Sequence, residues 1–173
     1  MKRLISVLTL TIASVSHADY YPAPAHRVFG EPHSKADEKA INELMTDFRN
    51  AWSAQDAAGV AATHAHDAEW INAFGRTFRG TEELRSFLEK TLFPAFNPNV
   101  SMEEMASLKE ISRRYIGNDA AVINAQMDSS RGSSVGEGSR RVSLNLVLEE
   151  ENGEWKIVHQ IITDLRETRQ PLK

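Results

Sequence analysis

His66-Asp67-Ala68-Glu69-Trp70-Ile71-Asn72-Ala73-Phe74-Gly75, followed by Phe78-Arg79-Gly80-Thr81, decides the reading of this chain. The alternation predicts a strand with Trp70 and Asn72 on one face and Ile71 on the other. Gly75 supplies a turn, and Gly80 opens the helix that follows. A polar amide set among aromatic and apolar neighbours is how a small-molecule pocket is lined. Asn72 therefore has two readings. It orients a ligand oxygen at a pocket wall, or it satisfies backbone groups at the Gly75 turn.

Upstream, Ser34 is an N-cap candidate with Asp37 at the third helical position. Ile41, Leu44, Met45, Phe48 and Trp52 then recur at helical spacing and predict a long first helix. Asp56 starts a second, Ala-rich helix that ends near His64. Downstream, Thr81 is expected to cap a third helix with Leu84, Phe87, Leu88 and Leu92 inward. Phe93-Pro94 and Asn97-Pro98 are expected to end it.

Beyond Val100 the period changes. Met105 to Ile116, Ala120 to Asp128, Arg141 to Glu150 and Trp155 to Leu165 read as strands. Gly117-Asn118-Asp119 forms one turn, and Asn152-Gly153 is a strong hairpin signal. Ser129 to Ser139, rich in Ser and Gly, reads as a hairpin loop. Helices first and antiparallel strands last give an α+β layout.

The N-terminus reads as a processing segment. Lys2 and Arg3 precede a short apolar run, Leu4 to Val15, and Ser16-His17-Ala18 offers small residues for cleavage after Ala18. That run is too short to span a bilayer, so no membrane insertion is expected. The expected organisation is a signal peptide at 1–18, an extended arm at 19–35, one domain at 36–167 and a tail at 168–173. The destination is the periplasm or the exterior. The chain has no cysteine, so thiolate catalysis and disulfides are excluded and a packed core must hold the domain. Without Lys2 and Arg3, 18 basic residues face 24 acidic ones, a net charge of −6. Nucleic acid is therefore a poor partner.

This order of elements resembles the nuclear transport factor 2-like superfamily, in particular its SnoaL-like and ketosteroid-isomerase-like branch of small bacterial proteins. The resemblance rests on Phe48 and Trp52, on Asp67, Trp70, Asn72, Gly75 and Gly80, and on Gly153-Glu154-Trp155-Lys156-Ile157-Val158-His159. It spans Ala36 to Glu167. It implies three N-terminal helices packed in the concave face of a strongly curved antiparallel sheet, a cone-shaped, cystatin-like α+β barrel. Members include isomerases, cyclases, dehydratases, hydrolases, ligand binders and association domains, so the fold alone names no reaction. The Tyr and Asp arrangement expected of an authentic ketosteroid isomerase has no secure counterpart here.

The candidate site follows from these faces. Trp70, Phe48, Trp52 and Phe87 are the expected walls, and Asn72, Asn124 and Tyr115 the polar lining. Asn124, Gln126 and Asp128 alternate along one strand, which also describes a solvent face. Strict alternation puts His159 with Trp155, Ile157, Ile161 and Thr163. His159 is then either a general base inside the cone or a core histidine bonded to a carbonyl. Asp164 becomes a base if burial raises its pKa. Val158 and Ile162 make the opposite face apolar, which predicts a homodimer through the outer face of the sheet. His64, His66, Asp67 and Glu69 have metal-binding side chains, but no ligand motif is present and no metal is expected. The sequence thus points to a cofactor-free exported protein that binds, and by acid/base chemistry converts, a small partly apolar molecule. The alternative is a non-catalytic ligand-binding or association module acting as a dimer.

Overall fold

A computed structural model describes residues 23–131 and 140–165. The signal peptide, the first residues of the arm, most of the Ser/Gly loop and the C-terminal tail lie outside the described residues.

The first helix, α1, runs Lys35–Ser53. Ser34 caps it, its Oγ accepting from the Asp37 amide at 3.1 Å. Its stripe Ile41, Leu44, Met45, Phe48 and Trp52 is buried throughout. Asp56 caps α2 (Ala57–Ala62) by accepting from the Gly59 amide at 2.9 Å. Strand β2 is His64–Ile71 and β3 is Thr77–Arg79. The third helix, α3 (Gly80–Phe87), continues as a π turn over Leu88–Leu92 and a 3-10 turn over Phe93–Ala95. Thr81 does not cap it. The chain enters through Arg79, whose amide donates to Glu83 Oε2 at 2.9 Å. Gly80 is needed there because its φ is +74° and a Cβ would stand 2.9 Å from the His66 carbonyl oxygen.

A fourth helix, α4 (Pro98–Ser107), occupies ground read as turn and strand. Pro98 starts it at its first position, with Asn97 as cap. The residues it buries are Ser101, Glu104 and Met105, two of them polar, so it carries no legible apolar stripe. Strands β4 (Lys109–Ile116), β5 (Ala120–Ser129), β6 (Arg140–Glu151) and β7 (Glu154–Asp164) follow. A short β1 (Arg27–Phe29) within the arm completes the sheet.

The strands lie in the order β1-β4-β5-β6-β7-β2-β3. Pairing is antiparallel except where β1 joins β4 and β2 joins β7. Helices and sheet share one core in which Trp52, Trp70, Phe48, Phe78, Leu146 and Ile157 are fully buried. This is the expected α+β architecture, helices packed against a curved sheet. Among the described residues no helix is long and apolar enough to cross a membrane.

Candidate functional site

One row of side chains crosses the inner face of the sheet. Registers align Arg113, Ile123, Leu146, Gln160, Trp70 and Phe78 across six strands. Each is at most 8% exposed. Gln160 enters this row through an irregularity in β7. Leu148 pairs with Ile157 and Val147 with His159, so Val158 is an extra residue. The extra residue reverses the alternation. Trp155, Ile157 and Gln160 face inward, whereas His159 lies on the outer face opposite Glu69. His159 Nδ1 stands 3.8 Å from Glu69 Oε2, beside the Arg79–Glu69 ion pair. The expected grouping of His159 with Trp155 and Ile157 is thereby corrected, and so is the expected outer-face pair Val158 and Ile162. Val158 is the extra residue, and Ile162 pairs with the buried Leu144 and packs against the core.

The other expected residues divide in the same way. Trp70, Phe48 and Trp52 are inner core residues, and Phe87 is partly buried against them. Trp70, Phe78 and Phe87 form an aromatic trio with centroid separations of 5.5, 5.8 and 4.1 Å. The Arg76 guanidinium lies 4.5 Å above the Phe78 ring and 5.6 Å from that of Phe87. Tyr115 packs against the same core, at its far end, with its hydroxyl 3.4 Å from Arg113. Asn124 lies on the outer face, where its Oδ1 accepts from Ser143 Oγ at 3.0 Å. Asp164 ends the inner face of β7, paired with Arg140.

Asn72 closes the β2–β3 turn. Its Oδ1 accepts from the Phe74 amide at 3.0 Å and the Arg76 amide at 2.9 Å. Its backbone bonds Arg76 and Gly75 across the same turn. The structural use of this amide is thus in place. It also sets where Arg76 leaves the backbone.

His64 and His66 do not share a side. His64 is buried while the His66 side chain is 87% exposed. Burial pushes the His64 pKa down, against hydrogen bonds to the Val60 carbonyl and Gln160 that favour the charged ring. The Val60 oxygen is 2.9 Å from Nδ1, and Gln160 Oε1 is 3.2 Å from Nε2. The unfolded chain therefore takes up a proton below about pH 6.5 that the folded chain refuses, and stability falls as pH drops through that window. Urea midpoints measured between pH 7.5 and 5 should decline. His64→Gln should decline less steeply, and identical slopes would refute this assignment.

Three features of the inner structure gave no sequence signal. The first is Gln160, hidden by the extra residue Val158. The second is a buried cluster centred on Glu104, which is 1% exposed. Trp52 Nε1 donates to its Oε2 at 2.8 Å, and Arg131 Nε lies 3.0 Å from both carboxylate oxygens. Arg131 also donates to Ser101 and packs over Phe96. The third is a set of unpartnered donors. Among the described residues, the buried side-chain polar atoms without a hydrogen-bond partner are Trp70 Nε1, Gln160 Nε2 and Arg140 Nε. All three are donors. An open groove of about 560 Å³ lies elsewhere, between α2, α3 and the β6–β7 turn. Ala61, Ala65, Thr81 and Lys156 line it, and none of the expected ligand residues does.

Comparison with known proteins agrees with this architecture. The SnoaL-like domain family matches residues 45–140. No curated protein matches the chain. A domain of unknown function with a cystatin-like fold from Nostoc punctiforme superposes with a TM-score of 0.63 at 18% identity, covering 78% of this chain and 81% of that one. A ketosteroid isomerase-like protein from Erwinia carotovora gives 0.56 at 11% identity, covering 75% and 96%. A Xanthomonas campestris protein, provisionally described as a calcium/calmodulin-dependent protein kinase II association domain, gives 0.54 at 16%, covering 90% and 100%. At these identities the likeness is one of fold.

Proposed function

The chain belongs to the SnoaL-like domain family within the nuclear transport factor 2-like superfamily, and from that premise we propose a ligand-binding role for the inner face of its sheet. The ligand is a small, partly apolar molecule on which a proton is moved without a cofactor. The observation that carries this reading is the adjacent pair Trp70 Nε1 and Gln160 Nε2, both buried and both unpartnered. A buried donor without an acceptor costs about 1–3 kcal/mol, which an incoming oxygen recovers. Asp164, on the inner side of β7, is the proton carrier in this proposal. His159 is not, because it faces outward.

Export and dimerisation belong to the same proposal. Export is supported by the charged, apolar and small-residue order of Lys2 to Ala18. A homodimer through the outer face is supported by the half-buried Val122, Val147 and Ile161, which share that face with Asn124 and Asn145. The second reading, a non-catalytic association module, draws on the same outer face and on the association-domain description of the Xanthomonas neighbour.

Native mass spectrometry of protein recovered from outside the cytoplasm tests the ligand. The expected result is a dimer beginning at Asp19 with a reproducible extra mass that is released on denaturation. His159→Ala should keep that mass, whereas Gln160→Leu should lose it while remaining folded. A clean apo dimer in every preparation would favour the association module.

A further inference from the structure

The inner-face donors and a cation one aromatic ring away bear on the charge of the ligand. Trp70 and Gln160 pair across the parallel β2–β7 ladder, so their side chains start from neighbouring positions on one face. Trp70 is 1% exposed and Gln160 is fully buried, yet neither N–H has an acceptor. No acceptor stands unpartnered beside them, because every such buried atom among the described residues is a donor. Burial also keeps the adjacent His64 neutral at pH 7, so His64 adds no competing cation to the pair.

Arg76 supplies the charge. Its guanidinium lies on the Phe78 and Phe87 rings, which stack on each other at 4.1 Å and both touch Trp70. It holds no acidic partner among the described residues, unlike Arg79, Arg113, Arg131 and Arg140, each of which pairs with a carboxylate. Asn72 fixes its backbone by accepting from the Arg76 amide. An exposed, unpaired guanidinium resting on aromatic faces can exchange that contact for a carboxylate, which it binds with charge-assisted hydrogen bonds.

The geometry points to a small aromatic carboxylic acid as the ligand, its ring against Phe87 and Phe78 and its carboxylate between Arg76 and the Trp70 and Gln160 donors. The inference rests on the ligand-binding reading above and adds the charge and shape of the ligand. A planar ring is the shape that aromatic side chains take by offset stacking or edge contact. Two neutral donors alone suit an uncharged oxygen. The unpaired cation one ring away tips the balance to an anion, because a buried carboxylate is tolerated only with both hydrogen bonds and a countercharge.

The test uses two probes of one shape, 2-naphthoate and 2-naphthamide, titrated into the full 15N-labelled chain. The readout is the Trp70 indole N–H resonance, assigned by cross-peaks to the Phe78 and Phe87 ring protons. Naphthoate should move it downfield and bind at least tenfold more tightly than the amide. Arg76→Gln, an exposed change that leaves the core intact, should erase that preference by weakening naphthoate about tenfold and leaving the amide unchanged. Equal affinity for the two probes, or a preference that survives Arg76→Gln, would overturn the acid assignment and leave the ligand reading standing. Naphthoate binding that needs Arg76 but leaves the Trp70 indole unmoved would reduce the site to a surface anion contact and overturn the inner site. If neither probe moves any indole resonance, the ligand reading falls with it.

Discussion

Arg131→Met should destabilise the domain by about 3–5 kcal/mol, the cost of leaving a buried carboxylate without its cation. Glu104 is 1% exposed and sits between Arg131, Trp52 and Ser129. Removing the guanidinium leaves two of its hydrogen bonds but no countercharge. The carboxyl then either takes up a proton or draws in water, and both weaken the contact between α4, α1 and the end of β5. A second substitution separates charge from packing. Glu104→Gln combined with Arg131→Met removes both charges, and the side-chain amide carbonyl introduced at position 104 still accepts from the Trp52 indole. The double variant should recover about half of the loss. Urea unfolding followed by tryptophan fluorescence measures both changes. If the single variant loses less than about 1 kcal/mol, the pair is not the clamp between α4 and the sheet that the geometry describes.

That clamp also marks the boundary of what the sequence discloses. The apolar stripe of α1, the Ser34 and Asp56 caps and the Asn152-Gly153 hairpin follow from local rules, because each depends on residues within one or two turns of chain. Asn152 and Gly153 have φ of 56° and 88°, as their hairpin requires. The fourth helix does not follow, because it buries Ser101 and Glu104 and finds their partners 25 to 30 residues further along the chain, in Ser129 and Arg131. Nor does β1, three residues that become a strand only because β4 offers an edge. The candidate site shows the same division. Trp70, Phe48 and Trp52 were legible as inner residues from their spacing alone. His159 and Gln160 exchanged places because a single extra residue, Val158, reverses every face assignment after it. Nothing in Lys156-Ile157-Val158-His159-Gln160 announces that residue. Alternation is a local rule, and the irregularity is imposed by pairing with two neighbouring strands.

Asn72 is where the local rule and the tertiary structure give opposite experimental expectations. If Asn72 binds ligand through its amide N–H groups, Asn72→Asp removes the donors and loses binding while the turn survives. If it acts through its carbonyl, Asp retains an acceptor for the Phe74 and Arg76 amides and should behave almost as the parent does. The geometry favours the carbonyl. Asn72→Ala then loses two hydrogen bonds, or about 1–2 kcal/mol of stability. The larger consequence is positional. Without the clamp, Arg76 no longer leaves the backbone at a fixed point above Phe78 and Phe87, and 2-naphthoate affinity should fall about tenfold. Asn72→Asp should keep that affinity within about threefold, since it holds the turn and adds one exposed charge. Loss of binding in both variants would return Asn72 to the ligand itself. Loss in the alanine variant alone identifies it as a positioning residue that acts through Arg76.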